Sequence, residues 1–328
     1  MNLAQALDSA IRTLRLHTCE GSEPEREAEE LLAFSLGADR SEILRRPERK
    51  LTGAEETRFT DCVARRLDHE PMARIFGKAR FLDRDFVIDR HVLVPRPATE
   101  IIVSRAIEAC SEMDRPTVID VGTGSGCAAI SLALALPDSQ VYATDISTEA
   151  LETASRNALA HHVADRIDFL LGDLLSNFQL PHPNPLPHGG RGRKGDDLLS
   201  PALALNPAPS GAGRSPSEAS GSGSPLCIFA NLPYIPTDSI YYLSPCVTAG
   251  EPLLALDGGT DGLALYRKLL DHLIEIDGER ELTLFFELLP GQVAAAKQEI
   301  GKRFPRAEIS EIRPGEKAEV IGLEIRDR

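Results

Sequence analysis

Along residues 1–75 the apolar positions recur at helical spacing. Ala28, Leu31, Leu32, Ser35 and Leu36 form one face and Gly37 supplies a stop signal. A second helix opens at Leu51-Thr52-Gly53-Ala54-Glu55, where Thr52 is an N-cap candidate and Glu55 completes a capping box. Its apolar face continues through Phe59, Val63 and Leu67. Phe81-Leu82-Asp83-Arg84-Asp85-Phe86-Val87-Ile88 reads as a hairpin or a pair of short strands. In Leu93-Val94-Pro95-Arg96-Pro97-Ala98-Thr99-Glu100 the prolines flanking Arg96 hold the chain extended and fix where that side chain points. A helix over 99–112 follows, with Thr99 as the expected N-cap.

From residue 117 the period changes. Short apolar, β-branched runs at 117–121, 140–144, 167–171, 226–230 and 282–287 alternate mostly with helical segments. Two further strands, near 307–313 and 318–325, are joined by the turn Pro314-Gly315-Glu316-Lys317. The pattern predicts an α/β fold whose mostly parallel sheet ends in an antiparallel hairpin. The expected division is a helical domain over 1–75, a connector over 76–98 and a main domain over 99–328. Residues 181–225 are rich in Pro, Gly and Ser and read as a disordered insertion between the third and fourth of these strands. His182 and His188 within it have no acidic or thiol companions, so they read as loop residues and no metal site is expected.

The candidate chemistry begins at Thr117-Val118-Ile119-Asp120-Val121-Gly122-Thr123-Gly124-Ser125-Gly126. A strand feeds a glycine-rich turn that opens the apolar helix from Cys127, which lets a ligand approach the backbone closely. The next strand ends in Asp145, roughly 20 residues on, where a carboxylate accepts the hydroxyls of a ribose. The cofactor is therefore nucleoside-like. NAD fits Gly124-Ser125-Gly126-Cys127-Ala128-Ala129 as G-x-G-x-x-A. Yet Asp120 two residues before the first glycine, and glycines at 122, 124 and 126, resemble class I methyltransferases and point to S-adenosylmethionine. After the run 226–230 stands Asn231-Leu232-Pro233-Tyr234. There the Asn231 side-chain oxygen and the Leu232 carbonyl can each accept one N–H of a planar NH2 group, while Tyr234 offers a face to stack on. Alone, such a tetrapeptide is as often a plain turn.

Bulk properties narrow the partners. The chain has 328 residues, 42% hydrophobic, and a net charge of −14, which argues against a protein that coats nucleic acid. Cysteines at 19, 62, 110, 127, 227 and 246 form no C-x-x-C pair and read as reduced thiols of a cytoplasmic protein. The N-terminus lacks a signal-like pattern, and the longest apolar stretch, 127–136, is too short to span a bilayer, so no membrane association is expected.

Taken together, these motifs resemble the release factor glutamine methyltransferases (HemK/PrmC family). The resemblance runs through nearly the whole chain except 181–225. It rests on Glu29-Glu30-Leu31-Leu32-Ala33, Arg65 to Pro71, Ile75-Phe76-Gly77, Leu93 to Glu100, the turn Asp120 to Gly126, and Glu251-Pro252-Leu253-Leu254-Ala255-Leu256-Asp257-Gly258-Gly259-Thr260-Asp261-Gly262-Leu263. It implies a Rossmann-like class I fold with an N-terminal helical domain for docking the substrate. It also implies methylation of the side-chain amide of the Gln in the Gly-Gly-Gln tripeptide of class I peptide chain release factors. By the same token Asn231, Leu232, Pro233 and Tyr234 would bind the amide and carry catalysis, with Arg96 helping to bind substrate. Gly122, Thr123, Gly124, Ser125, Gly126, Asp145 and Asn231 would hold the cofactor, with Asp173 and Leu174 at its adenine.

The chain departs from the family pattern at Leu232, where proline is usual, at Ala98, where glutamate is usual and helps order the surroundings of Arg96, and in the insertion. Rival readings are a nucleic-acid adenine N6-methyltransferase, since Asn-Leu-Pro-Tyr also resembles the rRNA adenine dimethyltransferase version, a ribosomal-protein glutamine methyltransferase, and a silent protein that kept the fold. The charge and the 251–263 signature weigh against the first.

Overall fold

The computed structural model describes residues 1–16, 22–176, 178, 224–276, 280–315 and 319–327. The insertion expected over 181–225, with its histidines, and Glu316-Lys317 of the expected turn lie outside the described residues, apart from 224–225.

The N-terminal part is built from α1 (Leu3–Leu14), α2 (Pro24–Leu36), α3 (Arg40–Arg45), α4 (Gly53–Leu67) and α5 (Met72–Phe76). Their apolar faces close on a core of their own, with Leu3, Leu31, Leu32, Ile43, Phe59 and Ile75 buried. The terminators act as the spacing predicts. Gly37 ends α2 in the left-handed region at φ 60°, where a residue without Cβ is unstrained. Thr52 caps α4: the Glu55 amide donates to the Thr52 hydroxyl, and the Thr52 amide donates to the Glu55 carboxylate at 2.8 Å. The segment at 81–88 forms the hairpin β1 (Lys78–Phe81) and β2 (Arg84–Val87), whose Phe81 and Phe86 are fully buried.

Next comes α6 (Pro97–Ser111), where the N-terminal boundary differs from expectation. Arg96, not Thr99, is the N-cap, because Pro97 occupies the first helical position, which needs no N–H and suits its fixed φ. Thr99 therefore lies inside the first turn with its hydroxyl free for other work.

The main domain alternates β3 (Thr117–Val121), α7 (Cys127–Ala135), β4 (Gln140–Asp145), α8 (Thr148–Ala160), β5 (Ile167–Leu171), β6 (Leu226–Ala230), α9 (Pro245–Thr248), α10 (Ala264–Ile276), β7 (Leu282–Leu288), α11 (Val293–Arg303), β8 (Glu308–Ile312) and β9 (Ile321–Asp327). The seven-stranded sheet has the order β5-β4-β3-β6-β7-β9-β8. Strands β3 to β7 run parallel, and β9 is antiparallel to both its neighbours.

The central strands are buried on both faces, and the pleat sends alternate residues to opposite sides. On β6, Cys227 and Phe229 join the core beneath α6, α7 and the hairpin, while Leu226, Ile228 and Ala230 join the one beneath α10 and α11. The strand order reverses between β3 and β6, so their carboxyl ends open a crevice, the usual ligand position in such sheets. Cys62, Cys110, Cys127 and Cys227 are free. Cys246 is disulfide-bonded, a correction to the expectation that every cysteine is reduced.

The capping box gives a direct test. Thr52→Ala is expected to lower stability by about 1 kcal/mol, the usual cost of losing such a cap. Urea unfolding should show a lower midpoint with an unchanged slope, and Thr52→Ser should restore it.

Candidate active site

The crevice at the carboxyl ends of the strands is a cavity of about 350 Å³, within the size range of small-molecule sites. Register explains which residues meet there. Val121 pairs with Ala230, and Ala230 pairs with Phe286. One step beyond these pairs the chain places Gly122, Asn231 and Glu287 side by side.

The glycine turn is held by the adjacent strand. The amides of Gly122 and Thr123 both donate to the Thr144 carbonyl at 2.9 Å. Gly122 has φ 73°, and a Cβ there would stand 3.0 Å from Leu232 Cδ2, so the turn and the Asn231 segment are pressed together. Around Gly124, at φ 54°, the space that a Cβ would enter is open. Gly126 does not line the cavity. It caps α7 and faces Ala154, whose Cβ would lie 2.9 Å from an added Cβ. Asp120 is buried beneath the turn and accepts from the Thr123 hydroxyl at 2.7 Å and the Ala129 amide at 3.0 Å. Burial nevertheless pushes its carboxyl up to about 6.

Asp145 closes the far side. Its carboxylate accepts from the amides of Gly124 and Ser147, each at 2.9 Å. Burial raises its pKa against those bonds. This orients one half-buried acidic group at the cavity, as a pair of ribose hydroxyls requires. Asp173 and Leu174 also line the cavity. Asp173 is paired with Lys268 of α10. Leu174 adopts φ 57°, an uncommon state for a side-chain-bearing residue and one that turns the chain around the ligand space.

On the opposite wall Asn231, Leu232 and Pro233 face the same cavity. Tyr234 does not line it. Its hydroxyl donates to Glu287 Oε1 at 3.2 Å, and its carbonyl accepts from Gln292 Nε2 at 2.7 Å. Burial raises the Tyr234 phenol, as does the neighbouring Glu287 charge, so it stays a donor. Leu232 is buried, and the Tyr266 hydroxyl spans its peptide. That hydroxyl accepts from the Leu232 amide at 3.2 Å and stands 2.5 Å from the Glu287 carbonyl but 3.3 Å from the Leu232 carbonyl. A phenol has one proton, and the shorter contact takes it. The Leu232 carbonyl thus keeps its acceptor capacity.

The 251–263 loop is the brace for this wall. The Ile235 amide donates to the Leu256 carbonyl at 3.0 Å, and the Gly258 amide donates to the Ile235 carbonyl at 2.9 Å. Gly258 passes so close that a Cβ would stand 2.6 Å from the Pro233 carbonyl oxygen. At Gly262, φ 76°, a Cβ would sit 2.1 Å from both Gln292 Nε2 and the Tyr234 carbonyl oxygen. Glu251 anchors the start of the loop. It pairs with Arg96 at 3.0 Å and Arg74 at 3.6 Å, and it accepts from the Val94 amide at 3.2 Å. Arg96 therefore has its partner in the loop. Its side chain stays 43% exposed at the cavity wall.

Sequence reading did not single out Glu287, Thr99 as a site residue, Tyr266, Gln292 or the Glu251–Arg96 pair. Glu287 was visible as a lone carboxylate inside Leu282-Thr283-Leu284-Phe285-Phe286-Glu287-Leu288. The others carry no local mark, because their partners lie far away in sequence.

Comparison with known proteins follows the same lines. Residues 5–77 match a family model described as the PrmC N-terminal domain, and residues 118–184 match one described as a methyltransferase domain. The chain is 37% identical to a protein of Moorella thermoacetica named release factor glutamine methyltransferase, across 82% of this chain and 80% of that one. A protein of the same name from Bradyrhizobium diazoefficiens is 34% identical, covering 83% and 78%. One from Bacillus subtilis is 32% identical, covering 92% and 91%. Among solved structures, the hMettl16 catalytic domain in complex with an RNA hairpin aligns at 14% identity with a TM-score of 0.48, covering 83% and 81%. That likeness is too slight to bear on the site.

The brace at Gly262 is testable. Gly262→Ala combines a positive φ, which costs roughly 1–2 kcal/mol, with a collision against backbone. It is expected to lower the melting temperature. Gly301→Ala, in helix α11 with nothing near its Cβ position, is expected to raise it by up to about 1 kcal/mol equivalent. Calorimetric scans of both variants check the opposite signs.

Proposed function

The chain belongs to the release factor glutamine methyltransferases, and on that premise we propose that Asn231, Leu232 and Pro233 hold the side-chain amide of the substrate glutamine, with Tyr234 bracing them from outside the cavity. The protein is an enzyme that methylates a release factor glutamine, with S-adenosylmethionine as the methyl donor. The finer reading places the methyl on the side-chain nitrogen of the Gln in Gly-Gly-Gln of class I release factors. The observation that carries it is that Asn231, Leu232 and Pro233 share one cavity with Gly122, Gly124 and Asp145. An acceptor pair for an NH2 group thus faces a nucleoside-sized pocket.

The residues present fit the cofactor. The open space at Gly124 admits the methionine chain, with Gly122, Thr123 and Ser125 beside it, while Gly126 supports the turn from behind. Asp145 takes the ribose hydroxyls, and Asp173 and Leu174 flank the adenine. When bound, S-adenosylmethionine supplies a methyl group already activated on a sulfonium, which departs as a neutral thioether.

The protein's task is the acceptor. An amide nitrogen is a poor nucleophile because its lone pair is delocalised into the carbonyl. Asn231 Oδ1 and the Leu232 carbonyl each accept one N–H of the substrate amide, which aims the nitrogen and favours the electron density it must give up. The nitrogen gains the methyl carbon and releases one hydrogen as a proton to solvent. Leu232 serves through its carbonyl, so its departure from proline is compatible with activity, and Leu before Pro233 is already biased to extended backbone. Tyr234 stiffens the segment from outside the cavity, through Glu287 and Gln292. Arg96, paired with Glu251 yet 43% exposed at the cavity wall, contributes to substrate binding.

The helical domain over 1–75 is read as the docking element for the release factor, with 76–98 the connector and 99–328 the catalytic domain. No nucleic acid or membrane takes part in this reading, and the enzyme works in the cytoplasm beside its substrate. Among the described residues no helix is long and apolar enough to cross a membrane.

Incubation with S-adenosylmethionine and a class I release factor, followed by peptide mass spectrometry, should place a single methyl on the Gly-Gly-Gln glutamine. Methylation elsewhere, or on adenine in RNA, would overturn the substrate assignment. Asn231→Ala should lower kcat by about 100-fold or more, the scale expected for loss of positioning, with cofactor affinity by calorimetry nearly unchanged. Asp145→Ala should instead weaken cofactor binding by roughly tenfold or more, as loss of a charge-assisted hydrogen bond implies. Equal effects of the two substitutions on binding would sink this division of roles.

A further inference from the structure

Every polar atom that touches Asn231 from behind constrains which end of its amide faces the cavity. Glu287, next to last in strand β7, is buried with its side chain on the same face as Phe285. As a carboxylate it has acceptors only. The Thr99 hydroxyl donates to Glu287 Oε2 at 2.7 Å, and this uses its single proton. Toward Asn231, Thr99 can then only accept, and it receives Asn231 Nδ2 at 3.2 Å. The Asn231 side chain also donates toward the Glu287 carboxylate itself. Tyr234 donates to the other oxygen, Oε1. No group in this cluster offers a proton to Asn231 Oδ1.

We propose that Glu287 and Thr99 form a polarity relay that fixes the Asn231 amide with its NH2 group inward and Oδ1 toward the substrate. The inference rests on the reading that Asn231 Oδ1 accepts an N–H of the substrate amide. A flipped Asn231 would present NH2 to NH2: two donors, no hydrogen bond, and a substrate nitrogen turned away from the methyl. The two ends of an asparagine amide have nearly the same shape, so packing alone does not choose between them. The choice must come from partners of fixed polarity, and an acceptor-only carboxylate at the end of a chain of hydroxyls is such a partner. Glu287 and Thr99 are positioning residues in this scheme, since neither lies between Asn231 and the substrate.

The geometry also accounts for where Thr99 stands. With Pro97 in the first helical position and Arg96 as cap, the Thr99 hydroxyl is not used by its own helix and reaches across to β7. A cap role would have taken that hydroxyl away from Glu287.

The test compares Thr99→Val, Thr99→Ser and Glu287→Gln in the full-length enzyme, using a class I release factor and S-adenosylmethionine. Thr99→Val keeps the shape and removes the hydroxyl. It is expected to lower kcat by about 10- to 100-fold, the range for a misplaced reacting group. Cofactor affinity by calorimetry and KM for the release factor should stay close to the parent values, while the bond lost to the buried Glu287 lowers the melting temperature. Thr99→Ser, which keeps the hydroxyl, should restore most of kcat. Glu287→Gln offers donors where only acceptors stood, so both amide orientations become populated and kcat should fall by roughly tenfold. Parent-like kcat in both Thr99→Val and Glu287→Gln would overturn the relay. So would a Thr99→Ser enzyme as impaired as Thr99→Val, or a loss of kcat matched by an equal loss of cofactor binding. If Thr99→Val fails to fold, the Glu287→Gln result decides. Failure of the underlying reading looks different: the unsubstituted enzyme would bind cofactor yet place no methyl on the release factor glutamine.

Discussion

A buried carboxylate at the carboxyl end of β7 sets the polarity of the substrate wall. Glu287 is 1% exposed, and burial raises its pKa although Thr99, Tyr234 and Asn231 all donate toward it. A charge removed from water is tolerated only when its acceptors are filled. The groups that fill them come from two elements: Thr99 from the first turn of α6, and Asn231 and Tyr234 from the segment after β6. The cost of burying Glu287 is thus offset by bonds that also fix the residues meeting the substrate.

A second buried carboxylate does a comparable job at a larger scale. Glu251 collects Arg74 from α5, Arg96 from the connector and the Val94 amide. It lies at the start of the loop that braces Pro233 and Tyr234. Contact between the helical part and this loop is close enough that a Cβ on Gly250 would stand 2.3 Å from Pro71. These contacts join the N-terminal helices to the loop beside the cavity. A docking element needs that if its bound partner is to deliver one side chain to within reacting distance.

The chemistry asks for orientation more than for acid or base. In the proposed clamp the amide nitrogen is held by acceptors on both hydrogens, and one of these is a main-chain carbonyl. This explains why leucine stands at position 232 without upsetting the design. Its amide and carbonyl are set by Tyr266, and its side chain packs against the glycine turn, with Gly122 leaving the space. On the proposed reading the tetrapeptide is tolerant at its second position and strict at its first, where Nδ2 is held by Thr99 and Oδ1 is left for the substrate.

Sequence by itself determined the parts that depend on local spacing. The alternating strands and helices, the reversal of the final strand, the Thr52 capping box, the stop at Gly37, the glycine turn and Asp145 all follow from periodicity and from residues whose backbone preferences are strong. The cavity-lining group from Gly122 to Ser125, with Asp145, Asp173, Leu174 and Asn231 to Pro233, was legible for the same reason: in a doubly wound sheet, ligand residues sit just past strand ends. Tertiary structure decided what is non-local. Thr99 reads as a cap until Pro97 claims the helix start. Gly126 reads as a ligand glycine until Ala154 is found against it. Tyr234 reads as a cavity residue until Glu287 and Gln292 hold it aside, and Glu287 reads as one more strand position. Apart from the local effect of Pro97 on Thr99, each of those outcomes turns on a partner brought in by tertiary packing across more than 25 residues of chain. Hydrogen-bond polarity passes between such partners only once the sheet has put them side by side.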